Sequence, residues 1–337
     1  MSNIRKVAEQ AQVSTATVSR VFNQPDSVSP ETRDAVWAAA DALGYSPSRR
    51  KGHALAPKLK PSRLLGVILP DLVNPYFAEL LDSLEHEAFH IGRSLLVFSH
   101  RSNPVWERQF LEECARFDVD GVFAVPSTPD VDYQSLCDGL PFPVFSLTQI
   151  RPGVPSIALD HREGGRLAAD HLVSLGHERI GYLGPTDAAE DKFIGFQQRL
   201  FEHAQSLHPS RLTTLDLAPG QDVQSCLEDF LQQHDELPFT ALFVFNDLSA
   251  QLAIEILSAR GVRIPEDLVV VGFDNTVLAK VMNFTSIAQP MRELGRLACA
   301  RMLKTLEHDH HDMSTEPLLL MPRLVVRDSA VAHSDRG

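Results

Sequence analysis

Short apolar runs recur along most of the chain, separated by stretches with helical spacing. From residue 64 onward they are Leu64–Leu69, Leu95–Phe98, Gly121–Val125, Val144–Phe145, Ile180–Leu183, Ala241–Phe245 and Leu268–Gly272. The runs are continuous rather than alternating, which predicts strands buried on both faces, hence parallel sheets with helices outside. Upstream the pattern changes. Ile4, Val7, Ala8 and Ala11 fall at i, i+3, i+4 and i+7, the stripe of a short amphipathic helix. Gln12-Val13 interrupts it. Ser14 can then cap a second helix by accepting a backbone N–H near Thr17, with Val18, Val21 and Phe22 turned inward. Ser29-Pro30-Glu31 starts a third, which runs through Val36, Ala39, Ala40 and Leu43 and stops at Gly44, with Pro47 beyond. Three short helices with a tight turn between the first two make a helix-turn-helix module.

Composition adds scale and a charge asymmetry. At 337 residues the chain has room for two or three compact units. No run of eighteen apolar residues occurs, so no membrane helix is expected. The N-terminus lacks the apolar stretch of a secretory signal, which points to a cytoplasmic protein. Cys114, Cys137, Cys226 and Cys299 lie far apart, without the spacing of a zinc site or a disulfide framework. The net charge of −13 is unevenly shared: residues 1–63 hold ten Lys/Arg against five Asp/Glu, and the excess of acid lies in the remainder. A small basic head on a large acidic body fits a polyanion bound at one end.

On the second helix the face opposite Val18 and Phe22 carries Thr15, Ala16, Ser19 and Arg20. Short side chains let a helix lie close in the major groove, where Thr and Ala touch base edges or a thymine methyl and Arg20 pairs with guanine. Ser14 and Thr17, at the helix start, suit phosphates, which position without specifying. The segment Val13-Ser14-Thr15-Ala16-Thr17-Val18-Ser19-Arg20-Val21-Phe22-Asn23, with Val7-Ala8, Val28-Ser29-Pro30-Glu31-Thr32-Arg33 and Leu43-Gly44-Tyr45-Ser46-Pro47, resembles the head of the lactose-repressor (LacI/GalR) family, closest to its purine-repressor branch. The resemblance implies a DNA-binding transcriptional regulator, acting as a homodimer on a palindromic operator and controlled by a small-molecule effector. Asn23 joins the expected DNA contacts on that ground. Gln12 departs from the family, whose turn usually has Gly there; a left-handed Gln costs on the order of 1 kcal/mol.

Residues 48–63 are basic and carry Gly52, Pro57 and Pro61, the composition of a linker. In the family this segment forms a hinge helix on DNA, and a leucine from each subunit wedges into the minor groove. Ser48 could cap such a helix, Pro57 end it, and Leu55 rather than Leu59 serve as the wedge. Ala54 occupies the family's leucine slot, one residue or about 100° of helix rotation away. A flexible basic tether is the alternative.

The acidic body resembles the family's periplasmic-binding-protein-like core to about Asp328. Markers include Asn74-Pro-Tyr76-Phe77, Gly176-His-Glu-Arg-Ile180, Phe245-Asn-Asp247, Gly272-Phe-Asp274 and Gln289-Pro290. The expected fold is thus a small all-α helix-turn-helix head plus an α/β core of two doubly wound parallel-sheet lobes. The expected boundaries are 1–47 for the head, 48–63 for the hinge, 64–160 with about 289–320 for one lobe, and 161–288 with about 321–330 for the other. Ligands of such sheets sit outside the carboxyl ends of the strands, here between the lobes. Asn74, Tyr76 and Phe77 follow the first strand; Asn246 and Asp274 follow later ones. Amides and carboxylates converging with aromatics suit a hydroxylated ligand. Asn246-Asp247 could equally cap a helix, and Tyr76-Phe77 could be core.

Two departures bear on the ligand. Lys192 stands where the family often has Arg, and Thr148-Gln149 where sugar-sensing members often have Asp-Arg. A pocket that keeps a cation and loses an acid tilts toward an acidic or phosphorylated sugar derivative, with a neutral sugar still open. The Glu307–Asp312 cluster reads as a solvated turn rather than a metal site. No phosphate loop, dinucleotide fingerprint, nucleophile elbow or zinc motif is present, so neither enzyme activity nor a cofactor is expected. The last eight residues hold no leucine heptad, which favours a dimer over a tetramer.

Overall fold

A computed structural model describes residues 4–23, 28–29, 32–33, 35–36, 39–40, 62–127, 132–187, 190–203, 212–218, 220–307 and 315–331. It divides into two units, residues 1–60 and 61–337.

In the first unit α1 spans Ile4–Gln10 and α2 spans Thr15–Asn23. The Thr17 amide donates to Ser14 Oγ at 3.0 Å, the cap expected at the start of α2. Val7, Ala8, Val18, Val21, Val36, Ala39 and Ala40 are buried together as a small core. Gln12 between the helices takes a left-handed backbone, φ 53°. The end of the third helix at Leu43–Gly44, the connector 48–61 with Leu55, and the acidic–histidine cluster from residue 308 lie outside the described residues, as do the side chains of Ser19 and Asn23.

The second unit holds two six-stranded sheets. The first contains β1 (Leu64–Leu69), β2 (Ser94–Ser99), β3 (Gly121–Ala124), β4 (Val144–Thr148) and β5 (Ser156–Leu159). Between them lie α3 (Pro75–His90), α4 (Pro104–Arg116) and α5 (Tyr133–Cys137). The chain then crosses over and builds the second sheet from β6 (Ile180–Gly184), β7 (Leu212–Asp216), β8 (Ala241–Val244), β9 (Val269–Asp274) and β10 (Thr285–Ala288). Its helices are α6 (His161–Ser174), α7 (Asp191–Glu202), α8 (Val223–Gln232), α9 (Asp247–Ala259) and α10 (Val277–Val281). It returns through α11 (Met291–Glu307) and β11 (Leu318–Leu320) to the first lobe, and crosses again to β12 (Arg323–Val325). Every pairing is parallel except β10 with β12.

The strand order β11-β5-β4-β3-β1-β2 in one sheet and β12-β10-β9-β8-β6-β7 in the other is that of doubly wound lobes. The central strands are buried end to end, as continuous apolar runs require. Strands β5, β7, β10 and β12 carry no such run, and β11 is three leucines of which only Leu320 is buried. Ser156-Ile-Ala-Leu159, with one polar residue, and Thr285-Ser-Ile-Ala288, with two, are short yet fully buried, because Ser and Thr hydroxyls bond inside the fold. β7 has only Leu215 buried, and the sheet order puts it at an edge.

One packing detail sets up the site. Helices α6 and α7 approach backbone to backbone through two glycines: a Cβ on Gly165 would collide with the Lys192 carbonyl, and one on Gly195 with the Arg162 carbonyl. The contact brings the start of α7, with Lys192, beside the start of α6, with His161. Gly195→Ala should therefore lower the body's stability by about 1–3 kcal/mol in urea denaturation, the usual range for overpacking. Gln12→Gly should act oppositely on the head: removing the left-handed strain of a Cβ, less Gly's extra chain entropy, should raise its stability by up to about 1 kcal/mol.

Candidate functional site

The carboxyl ends of both sheets open on one cavity of about 630 Å³. From the first lobe it is lined by Pro126-Ser127 after β3, Thr148 to Arg151 at the end of β4, and Leu159. From the crossover and second lobe come Asp160, His161 and Arg162, Pro185 and Asp187 after β6, and Glu190, Asp191 and Lys192 at the start of α7. Loops at the ends of parallel strands diverge there, which is why the hollow forms at this edge.

The lining is strongly polar and mixed in sign. Arg162 Nε pairs with Asp191 Oδ1 at 2.6 Å, and Arg151 Nη2 donates to Gln149 Oε1 at 2.7 Å. Lys192 Nζ donates to the Phe245 carbonyl at 3.0 Å and sits 4.4 Å from the centre of the Phe273 ring. The cation is thus partly neutralised by a carbonyl dipole and a π-face. Burial pushes the Glu190 carboxyl above its ordinary range, against the pull of Lys192. His161 lies edge-on to Phe273 with centroids 6.0 Å apart. Burial, then the Lys192 charge, lowers its pKa from 6.5 to about 3, so the imidazole is neutral near pH 7.

Beneath the cavity lies a buried polar network. Gln289 Nε2 donates to Asp274 Oδ1 at 2.6 Å, and Tyr76 Oη approaches Gln289 Oε1 at 3.5 Å. Asp247 accepts from the Thr276 amide at 2.6 Å, the Thr276 hydroxyl at 3.0 Å and the Ser286 hydroxyl at 2.7 Å. Burial raises both carboxyls, and the Asp247 charge adds to the rise at Asp274. Tyr76 is held well above its ordinary pKa, first by burial and then by Asp274.

Of the effector residues expected from sequence, Thr148 and Lys192 line the cavity. The others are placed differently. The Asn74 side chain caps α3, accepting from the Tyr76 amide at 3.0 Å. Tyr76 is buried and Phe77 packs against the first lobe's core. Asn246 caps α9, accepting from the Ser249 amide at 2.7 Å, so the cap is Asn246 and not Asp247. Asp274 is buried, at φ 108°, and bonded to Gln289 rather than lining the hollow. Asp160, His161, Asp187, Glu190 and Asp191 were not singled out by sequence. The first two follow β5, whose apolar run Ile157-Ala158-Leu159 is only three residues long, so the residues after it were not read as facing a cleft. Nor does the structure match the expected cation-biased pocket: four carboxylates stand beside Arg151, Arg162 and Lys192.

In the head, Thr15, Ala16 and Arg20 are exposed on α2 while Val18 and Val21 are buried, so the helix presents the face expected to meet bases. Ser14 Oγ, besides capping, lies 2.9 Å from Thr17 Oγ1.

Residues 3–48 match the family model described as bacterial regulatory proteins, lacI family, and residues 169–330 match the periplasmic binding protein-like domain. The HTH-type transcriptional regulator DegA of Bacillus subtilis is 31% identical over 342 residues, covering 97% of this chain and 98% of its own length. The chain belongs to the LacI family. The HTH-type transcriptional repressor PurR of Mannheimia succiniciproducens is 32% identical over 337 residues, 98% of each chain. Among solved structures, a lac repressor dimer bound to operator and the anti-inducer ONPF superposes with a TM-score of 0.66 at 28% identity, covering 98% of this chain and 99% of that one. A LacI family regulator from Enterococcus faecium with bound ribose gives 0.69 at 25% identity, covering 80% and 98%. This LacI-family chain is accordingly a DNA-binding transcriptional repressor with a two-lobed periplasmic-binding-protein-like core. Among its described residues no helix is long and apolar enough to cross a membrane.

Two predictions follow from the buried groups. Asp247→Asn keeps one acceptor oxygen, so its N–H₂ replaces either the oxygen that takes the Thr276 amide and hydroxyl or the one that takes the Ser286 hydroxyl, and should cost about 1–3 kcal/mol in urea denaturation. For His161 the folded pKa lies below the unfolded one, so stability is full above about pH 6.5 and falls as the pH drops toward 3, at up to about 1.4 kcal/mol per pH unit. The raised Asp247 and Asp274 act in the opposite sense below neutrality. Comparing the pH dependence of melting in wild type and His161→Gln isolates the histidine: the loss between pH 7 and 5.5 should be smaller in the variant.

Proposed function

We propose that this repressor acts as a homodimer on a palindromic operator, and that a small polyhydroxylated metabolite bound between its lobes sets operator affinity. The observation that carries this is the cavity itself: about 630 Å³, at the carboxyl ends of both sheets, lined by amide, hydroxyl, carboxylate and cationic groups from both lobes. Paired donors and acceptors of both signs match a ring of hydroxyls better than a single anionic group, so a neutral sugar is favoured over an acid or phosphate. The ribose-bound regulator and a CelR–cellobiose complex, the latter 25% identical with a TM-score of 0.67, support the same class. A ligand touching both lobes changes their closure, and through it the order of the 48–63 hinge and the operator affinity.

In the head, Thr15, Ala16 and Arg20 read bases, with Ser19 and Asn23 on the same helix, while Ser14 and Thr17 hold phosphates. Leu55 is the proposed groove wedge.

A gel shift on the protein's own upstream DNA tests the DNA half. Arg20→Ala should weaken binding by about 1–3 kcal/mol, roughly 5- to 150-fold, with relaxed specificity at one base pair of each half-site. Wild-type operator affinity together with undiminished discrimination against scrambled sequence in Arg20→Ala would refute the assignment. The ligand half is tested by melting in the presence of sugars, sugar acids and sugar phosphates, since a ligand of the folded state raises Tm. A neutral sugar should give the largest rise; a phosphate giving it would overturn the preference.

A further inference from the structure

The outer face of α3 carries two imidazoles that neither the core nor the cavity uses. His86 and His90 are both exposed and stand at i and i+4, so they are neighbours on one helix face. Their Nε2 atoms lie 3.3 Å apart, with the ring planes at 81° and the centroids separated by 4.6 Å. Packing does not impose this convergence, because Leu80, Ser83, Leu84 and Ala88 anchor α3 from its other side.

We infer that His86 and His90 form a two-imidazole site for a divalent transition-metal cation, Zn²⁺ or Ni²⁺, on the surface of the first lobe. The site is separate from the cavity and stands whatever that cavity binds. Two imidazole nitrogens, each about 2.0–2.1 Å from a tetrahedral metal, are about 3.3–3.4 Å from one another. The observed 3.3 Å is the bite of such a chelate, so the rings need only turn to aim both lone pairs at one point. Without a metal, one ring shares a hydrogen with the other, but a bond between exposed groups competes with water and contributes little. A shared cation contributes more, because once one imidazole holds it the second binds intramolecularly. Charge favours a cation at this place. His90 is the last residue of α3, where unpaired carbonyls give the helix end a partial negative charge. On the same helix Asp82 is exposed one turn before His86, and Glu85 and Glu87 flank it. Arg93, just beyond the helix, is paired with Asp120. Among the described residues no set of three metal-ligating side chains forms, so the protein supplies two ligands and water completes the coordination. Imidazole nitrogen suits Zn²⁺ and Ni²⁺, whereas Mg²⁺ takes oxygen ligands.

Calorimetry with ZnCl₂ on the full chain, at about pH 8 where an ordinary imidazole is neutral, tests this. The sequence holds further histidines at His308, His310 and His311, so the reference chain has these three replaced by Gln. It should bind Zn²⁺, and NiCl₂ likewise, in the presence of excess MgCl₂. His86→Ala and His90→Ala, each added to the reference chain, should weaken one equivalent at least about tenfold, since either change breaks the chelate. Melting curves without metal report whether each variant folds. A second measurement needs no variant: Zn²⁺ should protect both rings of wild type from carbethoxylation by diethyl pyrocarbonate, read by mass spectrometry. The inference is overturned by a reference chain that binds no Zn²⁺, or by unchanged stoichiometry and affinity in His86→Ala and His90→Ala. Loss in only one of the two variants, or equal modification of the rings with and without Zn²⁺, would overturn it as well.

Discussion

A single buried hydrogen bond, from Gln289 Nε2 to Asp274 Oδ1 at 2.6 Å, ties the cleft together where the chain leaves β10 for α11. Asp274 ends β9 in the second lobe, Tyr76 belongs to α3 in the first, and Gln289 lies on the crossover and meets both. Losing such a bond in the interior leaves a donor and an acceptor without water to replace them. It also holds Asp274 at φ 108°, a conformation an L-residue keeps only when its surroundings over-determine it. The orientation of the Gln289 amide, with its oxygen toward Tyr76, descends from it.

Around that bond the cleft is shaped by backbone rather than by bulk. Gly165 and Gly195 let α6 and α7 touch main chain to main chain, which no other residue pair permits without a shift. Lys192 and His161 consequently share the Phe273 ring, one cationic and one neutral. The charge on the first helps keep the second unprotonated, so two basic residues take different roles through environment alone. Asp247, deeper in the second lobe, is a structural hub: three donors converge on it from Thr276 and Ser286, and Gly272 lies against its Oδ1, where a Cβ would not fit.

Much of this molecule could be read before any coordinates. The apolar runs at Leu64–Leu69, Gly121–Val125, Ala241–Phe245 and Leu268–Gly272 became central strands, since burial on both faces of a parallel sheet demands unbroken hydrophobicity. The Ser14 cap and the Val18–Val21 inner face of α2 also follow from local chemistry, which needs only a few neighbouring residues. Strands β5 and β10 escaped notice because their serines and threonines find partners only in the folded sheet. With β5 unread, Asp160 and His161 had no reason to be placed at a cleft.

The sequence by itself therefore determined the family, the two doubly wound lobes and the exposed Thr15, Ala16 and Arg20 face, because periodicity, capping and short motifs are local properties. Only the tertiary structure decided which polar residues meet. Asn74 and Asn246, plausible ligand contacts by position, have their amide oxygens engaged as helix caps, and Asp274 is turned onto Gln289. Whether an amide or carboxylate is free for a ligand depends on what packs against it from distant parts of the chain. Tyr76 meets Gln289 across 213 positions of the chain, and no local pattern encodes that meeting.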